Sequence, residues 1–205
     1  MGQLSNTTGL LLSKNKQWTS RWYMDTNYSK YFHEDLSIKK YIVSILIANS
    51  IHYSKCIIQR SKEYIVVYLN IYSEERGHTN LQSTVTQIKE GIDAFTKSNI
   101  VLHIKTVKKL DAQIISSLIK EKISSRQTFQ LIFTQILNKV KKDIRIKGIR
   151  IQCSGRPNGS DMSTVQWSKY GPIPVHSYNK NIDFTFTEVH TKYGLCGVKV
   201  WVYYI

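Results

Sequence analysis

Ile38, Tyr41, Ile42, Ile45 and Leu46 fall at i, i+3, i+4, i+7 and i+8, one face of a 3.6-residue period, and predict an amphipathic helix. Lys39, Lys40 and Ser44 lie largely off that stripe, and Glu34 and Asp35 suit the positive end of the helix dipole. Two runs rich in Ile, Val and Tyr follow, Lys55–Gln59 and Glu63–Ile71, read as strands joined by a polar turn at Arg60-Ser61-Lys62. A helix near 81–95 carries Val85, Ile88, Ile92 and Phe95 on one side, and a third strand runs over about Asn99–Thr106. Residues 1–32 differ: polar, aromatic and basic with few clear periods, they bury too little apolar area to fold alone and are expected to order on a partner.

The middle of the chain reads as two helices. Asp111 is placed to cap the first, whose inward face is Ile114, Ile115, Leu118, Ile119 and Ile123. The second holds Phe129, Ile132, Phe133, Ile136, Leu137 and Val140, and ends in Lys139, Lys141 and Lys142, which can compensate the dipole or meet phosphates. From Gly148 the period switches to two. Ile149, Ile151 and Cys153 alternate with polar neighbours, as do Ile182, Phe184 and Phe186, and then Val198, Val200 and Val202. Three such runs, with turns at Gly155–Gly159 and Tyr170–Pro174, predict a mostly antiparallel sheet with one face covered by the preceding helices. The fold class is therefore α+β.

Charge narrows the function. The 205 residues hold 29 Lys and Arg against 14 Asp and Glu, a net +15. The pI near 9.7 exceeds the level of about 9 that marks a nucleic-acid-binding domain. Such binding releases counterions and is steeply salt-dependent. No stretch approaches the ~20 apolar residues of a membrane span, and no basic amphipathic anchor stands out. Cys56, Cys153 and Cys196 lie far apart without C-x-x-C spacing, which argues against a disulfide framework or a cysteine-rich zinc site. They read as buried thiols of a reducing compartment. The chain has 26 Ile against 3 Ala and 22 Lys against 7 Arg, usage that points to an AT-rich genome.

The last sixty residues carry Gly148-Ile149-Arg150-Ile151-Gln152-Cys153-Ser154-Gly155-Arg156, then Gly171-Pro172-Ile173-Pro174-Val175-His176. Ile182-Asp183, Glu188-Val189-His190-Thr191-Lys192-Tyr193-Gly194 and Gly197-Val198-Lys199-Val200-Trp201 follow. This series resembles the C-terminal domain of the small ribosomal subunit protein three family. The opening, with Met1-Gly2-Gln3, Gly9, Trp18, Ser20-Arg21-Trp22-Tyr23 and His33-Glu34-Asp35, is similar to the start of the same family.

The resemblance implies an rRNA-binding arm over 1–32, a type II KH-like domain over 33–108 and the family's second α+β domain over 109–205. It implies a structural role in the head of the small subunit, near where mRNA enters, with small-subunit proteins ten and fourteen as neighbours. With the codon bias it points to an organellar, mitochondrial ribosome. No transit peptide precedes the family-like opening, so an organellar protein would be made inside the organelle. A plastid or a bacterial cytoplasm is the alternative setting, and an RNA-binding module acting outside the ribosome is the alternative function.

Two departures bear on RNA handling. A KH domain grips nucleic-acid backbone through a G-x-x-G loop. Here Tyr72-Ser73-Glu74-Glu75-Arg76-Gly77-His78-Thr79-Asn80 keeps one glycine beside two carboxylates, so the grip is lost and the domain is degenerate. The family's basic cluster after the helix phenylalanine is replaced by Gln130, Leu131, Ile132, Phe133, Thr134 and Gln135, which weakens contact with mRNA.

The candidate RNA contacts are Gly2, Gln3, Lys14, Lys16, Trp18, Arg21 and Trp22 in the arm, Lys139, Lys141 and Lys142 at the helix end, and Arg150, Arg156, Lys192 and Lys199 about the sheet. Trp18 and Trp22 either stack on bases or pin the arm to the protein's own core. Arg156 either chelates phosphate or holds a turn. Trp201 is by default a packing residue. His176 and His190 lack a nucleophile or phosphate loop and read as hydrogen-bonded positions in a sheet corner. Glu188 and His190 face away from Asp183, which disfavours a shared metal. The sequence therefore predicts no enzyme, cofactor, metal or small-molecule substrate.

Overall fold

A computed structural model describes residues 7–12, 14, 16–61, 64–72, 81–96, 98–156 and 159–205. It is an α+β protein of two compact units. Trp18–Lys108 form one, and the described residues up to Gln17 join Lys109–Ile205 in the other. The segment read as a single arm is thus shared between the units.

The first unit carries strand β1 (Ser20–Arg21), helix α2 (Tyr28–Ala48), β2 (Tyr53–Arg60), β3 (Tyr64–Tyr72), α3 (Leu81–Phe95) and β4 (Asn99–Val107). Its sheet runs β1-β2-β3-β4. The hairpin β2–β3 is antiparallel and β4 lies parallel to β3, agreeing with the expected KH-like domain. On β3, Ile65, Val67, Leu69 and Ile71 are buried and alternate with more exposed neighbours, so one sheet face packs on the helices. The helices answer with Ile38, Ile42 and Leu46 from α2 and Ile88 and Ile92 from α3. Each such side chain stabilises by about 1.5–3 kcal/mol when fully buried. The side chain of Phe95 and residues 73–80, where the resemblance places the G-x-x-G loop, lie outside the described residues.

Two local expectations need correction. Helix α2 begins at Tyr28, behind a left-handed Asn27, not near Asp35. Glu34 and Asp35 therefore lie in its second turn, and Asp35 is buried. Arg60, read as part of a polar turn, ends β2, and 2% of its side chain is exposed.

The second unit holds α1 (Thr7–Leu11), α4 (Ala112–Ser124), α5 (Phe129–Lys141) and strands β5 (Ile146–Gly155), β6 (Thr164–Tyr170), β7 (Ile182–Thr191) and β8 (Gly194–Tyr204). The sheet order is β6-β5-β8-β7, antiparallel throughout. Ile114, Ile115 and Ile119 of α4 and Phe129, Ile132 and Ile136 of α5 are buried. So are Ile149, Ile151, Cys153, Val198, Val200 and Val202 of the sheet, as the two periods predict. The run in β7 is the exception, its Phe184 and Phe186 lying on the opposite face, across from Trp201 and Lys199. Helix α4 lies against β7 and β8, and α5 against β5. Asp111 stands at the N-cap of α4 in extended conformation but makes no side-chain capping bond. Its carboxylate instead meets the Tyr204 hydroxyl at 3.5 Å, while that hydroxyl donates to the Leu110 carbonyl at 3.2 Å.

Strand β6 was not expected. Val165 and Trp167 on one of its faces are exposed, so the edge strand lacks the buried alternation that reveals β5 and β8. It is held in register by Ile149 opposite Tyr170 and Gln152 opposite Trp167. Just beyond, Gly148 and Gly171 let the two backbones close. A Cβ at Gly148 would meet the Pro172 carbonyl oxygen at 2.1 Å, and one at Gly171 (φ +71°) the Lys147 carbonyl oxygen at 2.1 Å.

Candidate nucleic-acid interface

Around β1, short polar tethers set the aromatic residues. Lys39 donates to the Ser20 hydroxyl at 2.9 Å, and β1 pairs in parallel with the end of β2. Trp22 is drawn inward: its indole nitrogen donates to Asp35 at 2.7 Å, its ring lies 5.0 Å from that of Tyr28, and the Arg60 guanidinium sits over it at 5.8 Å. Tyr28 stacks in turn on Phe32 at 6.0 Å. Trp18 remains 68% exposed and Arg21 is exposed, its Nε donating to the Trp18 carbonyl at 3.3 Å. The two tryptophans therefore divide: Trp22 is pinned, and Trp18 offers its ring to solvent.

Lys14 and Lys16 belong to the second unit. Lys14 stands over the Tyr178 ring at 5.1 Å. Lys16 donates to Asp183 at 2.6 Å with little of either side chain exposed, so it ties the segment after α1 to β7. An ammonium held in that way is less available to phosphate than the sequence suggested. Gly2 and Gln3 lie outside the described residues.

At the end of α5, Lys141 and Lys142 are exposed and Lys139 is half-buried, with Lys141 over the Tyr170 ring at 5.2 Å. Gln130, Leu131, Thr134 and Gln135 of the same helix face solvent, while Ile132 and Phe133 are core. Gln135 accepts a bond from Lys122.

Arg156, at the end of β5, donates to the Ser160 carbonyl and lies 5.9 Å from the Tyr193 ring. It is thereby set beside the β7–β8 turn that displays Lys192. His176 and His190 are exposed, not enclosed in a hydrogen-bonded corner. Among the described residues no three His, Cys, Asp or Glu side chains gather as a metal site requires. Among them, no helix is long and apolar enough to cross a membrane.

Arg150 has the most distinctive surroundings. On the sheet face opposite α4 and α5 its guanidinium lies 5.3 Å from the Trp167 ring and 5.4 Å from the Trp201 ring, and Nη2 donates to Gln152 at 3.3 Å. Farther along the same face Leu11 of α1 packs on Ile182 and Tyr203. Trp201 is buried beneath this arrangement, whereas Trp167 above it is 58% exposed. Sequence reasoning missed Trp167 and Lys169 because it missed β6. The signal was there: Val165, Trp167 and Lys169 alternate between two turns. The candidate residues that are described are distributed over both units.

Residues 119–202 match the family model for the C-terminal domain of ribosomal protein S3. Over 99% of its length the chain is 36% identical to the small ribosomal subunit protein uS3 of Ehrlichia chaffeensis, covering 96% of that protein. It is 31% identical to that of Magnetococcus marinus, again over 99% and 96% of the two chains. Against that of Ligilactobacillus salivarius the figures are 32%, 99% and 93%. Likeness at these levels over both units establishes that the chain belongs to the ribosomal protein S3 (uS3) family of the small ribosomal subunit.

Proposed function

We propose that this chain is a structural, non-catalytic component of the small ribosomal subunit that binds its rRNA and neighbouring ribosomal proteins. The observation that carries the reading is full-length likeness to uS3 proteins joined to a net charge of +15. Exposed Trp18 and Arg21 form one contact region, Lys141 and Lys142 a second, and Arg156 with Lys192 a third. Each cation that neutralises a phosphate adds to a salt-dependent affinity. Lys16 and Trp22 act through the protein, by fixing the segments that present these groups.

Three finer statements belong to the same proposal. The chain sits in the head of the subunit, beside proteins ten and fourteen. It contacts mRNA little, because the exposed side of α5 after Phe129 is uncharged at Gln130, Leu131, Thr134 and Gln135. Its ribosome is organellar, with a mitochondrion preferred; the excess of Ile over Ala and of Lys over Arg supports this, whereas the relatives named above are bacterial.

Sedimentation of native extract through sucrose in moderate and high salt tests the reading. The chain is expected to travel with the small subunit at both salt levels and to be enriched in the organelle fraction. A pool that stays at the top of both gradients would instead support an RNA-binding protein acting outside the ribosome.

A further inference from the structure

We propose that the outer face of the β6-β5-β8-β7 sheet is a stacking platform for unpaired RNA bases, centred on Trp167. This rests on the rRNA-binding reading and assigns it a site and a ligand class: single-stranded RNA, held by its bases as well as its phosphates.

The platform is layered. Trp201 lies at the bottom, 2% exposed, with its indole nitrogen without a hydrogen-bond partner. The Arg150 guanidinium covers it, and Trp167 lies against the same guanidinium from the neighbouring strand, more than half exposed. A cation against an aromatic face is worth about 0.5–2 kcal/mol and fixes the ring's position. Trp167 is therefore a pre-positioned flat surface with free area, the property that stacking on a base needs. Trp201 is further held by Phe184, 5.2 Å away between ring centroids.

The charge on this face favours a polyanion. Residues directly opposite on paired strands share a face, as do alternate residues of one strand. Lys169 pairs with Arg150, and Lys199 lies two residues from Trp201 and opposite Phe186. Both lysines are exposed, and Phe186 is 48% exposed. Three cations thus accompany the exposed rings, and among the described strand residues Glu188, opposite Gly197, is the carboxylate on this side. Trp167 on one edge strand and Phe186 on the other are separated by three strand spacings, ~14 Å. Lys199 lies between them, where a phosphate of a crossing strand can meet it. An acidic protein surface could also use the lysines and the ring. The row of Trp167, Lys199 and Phe186 across the sheet, ring then cation then ring, favours spaced bases with a phosphate between them.

The test uses the full-length chain and an unstructured oligouridine, followed by Trp fluorescence and by competition with polyphosphate. Trp167→Ala is expected to weaken binding about 5- to 150-fold, the loss of one stacked base, with Trp167→Phe recovering most of it. The salt slope should not change in either. Lys169→Ala with Lys199→Ala should lower that slope by about 1.4. Unchanged oligouridine affinity in Trp167→Ala overturns the inference. So do photo-crosslinks from position 167, in purified small subunits, that reach only protein: the face would then be a protein-docking surface. Either result leaves co-sedimentation with the subunit intact, so failure of the platform is distinguishable from failure of the ribosomal reading.

Discussion

Asp35 and Arg60 meet at 2.6 Å with 2% of either side chain exposed. The pair joins α2 to the end of β2, and around it Glu34 accepts from the other guanidinium nitrogen at 2.8 Å while Trp22 donates to the second Asp35 oxygen. Tyr31 lies 5.0 Å from the guanidinium. Breaking a buried pair by removing one partner leaves an uncompensated charge and costs about 3–5 kcal/mol. Because Glu34 still pairs with Arg60, Asp35→Ala is expected to destabilise the unit of Trp18–Lys108 by less than that, about 1.5–3 kcal/mol for the lost charge-assisted bond, and Trp22→Phe by about 1–3 kcal/mol through the unmet acceptor. Urea unfolding, with amide exchange in β2 and β3 as the local probe, reads both. A change within experimental error in Asp35→Ala would show that the pair contributes nothing net.

Lys16 and Asp183 tie the N-terminal segment to β7. A charge-assisted hydrogen bond of this kind contributes about 1.5–3 kcal/mol. Lys16→Met should release the segment around α1, seen as faster proteolysis and amide exchange near Leu11, without reducing the salt dependence of RNA binding. Arg21→Ala, at an exposed position, should do the reverse. If Lys16→Met lowers the salt slope as Arg21→Ala does, Lys16 contacts phosphate after all.

Gly171 combines a left-handed backbone with a carbonyl where its Cβ would lie. Alanine there should cost about 1–3 kcal/mol in backbone strain, before any cost of the clash with Lys147. Its effect should appear as accelerated amide exchange in β6 relative to β7. Equal protection of both strands in Gly171→Ala would show that the close approach does not hold the edge strand.

What could be read from the chain follows from which interactions are local. The stripes of α4 and α5 and the alternation in β5 and β8 are each satisfied by one buried face, so periodicity finds them. In β7 the period is right and the face is not, because Phe184 and Phe186 lie on the side of Trp201, and Asp183, Thr185 and Thr187 stand opposite Val202, Val200 and Val198. The start of α2 was misplaced because its cap is a left-handed Asn27, and its first turns carry exposed Tyr28 and Phe32 instead of a hydrophobic stripe. Asp35 looked like a dipole partner because its true partner, Arg60, is 25 residues away and meets it only in the folded unit. In the sequence Arg150 shows only its charge. That it lies between two tryptophans depends on β6 pairing with β5, a tertiary fact.

The cysteines give a pH prediction. Burial raises the Cys153 thiol to about 12, with Cys196 adding to the effect. Burial likewise raises Cys56 to about 11, opposed by Lys39 and assisted by Asp35. Because these values exceed the ordinary 9.0, the protonated thiols favour the folded state. That contribution is complete below pH 9 and lost as pH climbs through about 11–12. At pH 7 roughly one Cys56 thiol in ten thousand is ionised, so alkylation of the native chain by iodoacetamide should be slow and should accelerate steadily toward pH 11. Rapid modification of native Cys56 at pH 7 would contradict the burial argument.

The central claim is that this chain holds small-subunit rRNA as a built-in part of the particle. Ultraviolet cross-linking of small subunits washed in high salt, followed by mass spectrometry of RNA-linked peptides, addresses it most directly. The account predicts rRNA adducts on peptides containing Trp18 and Arg21 and on peptides from the lysine-rich end of α5. A chain absent from the washed subunits, or present there with no rRNA adduct on any peptide, would contradict it.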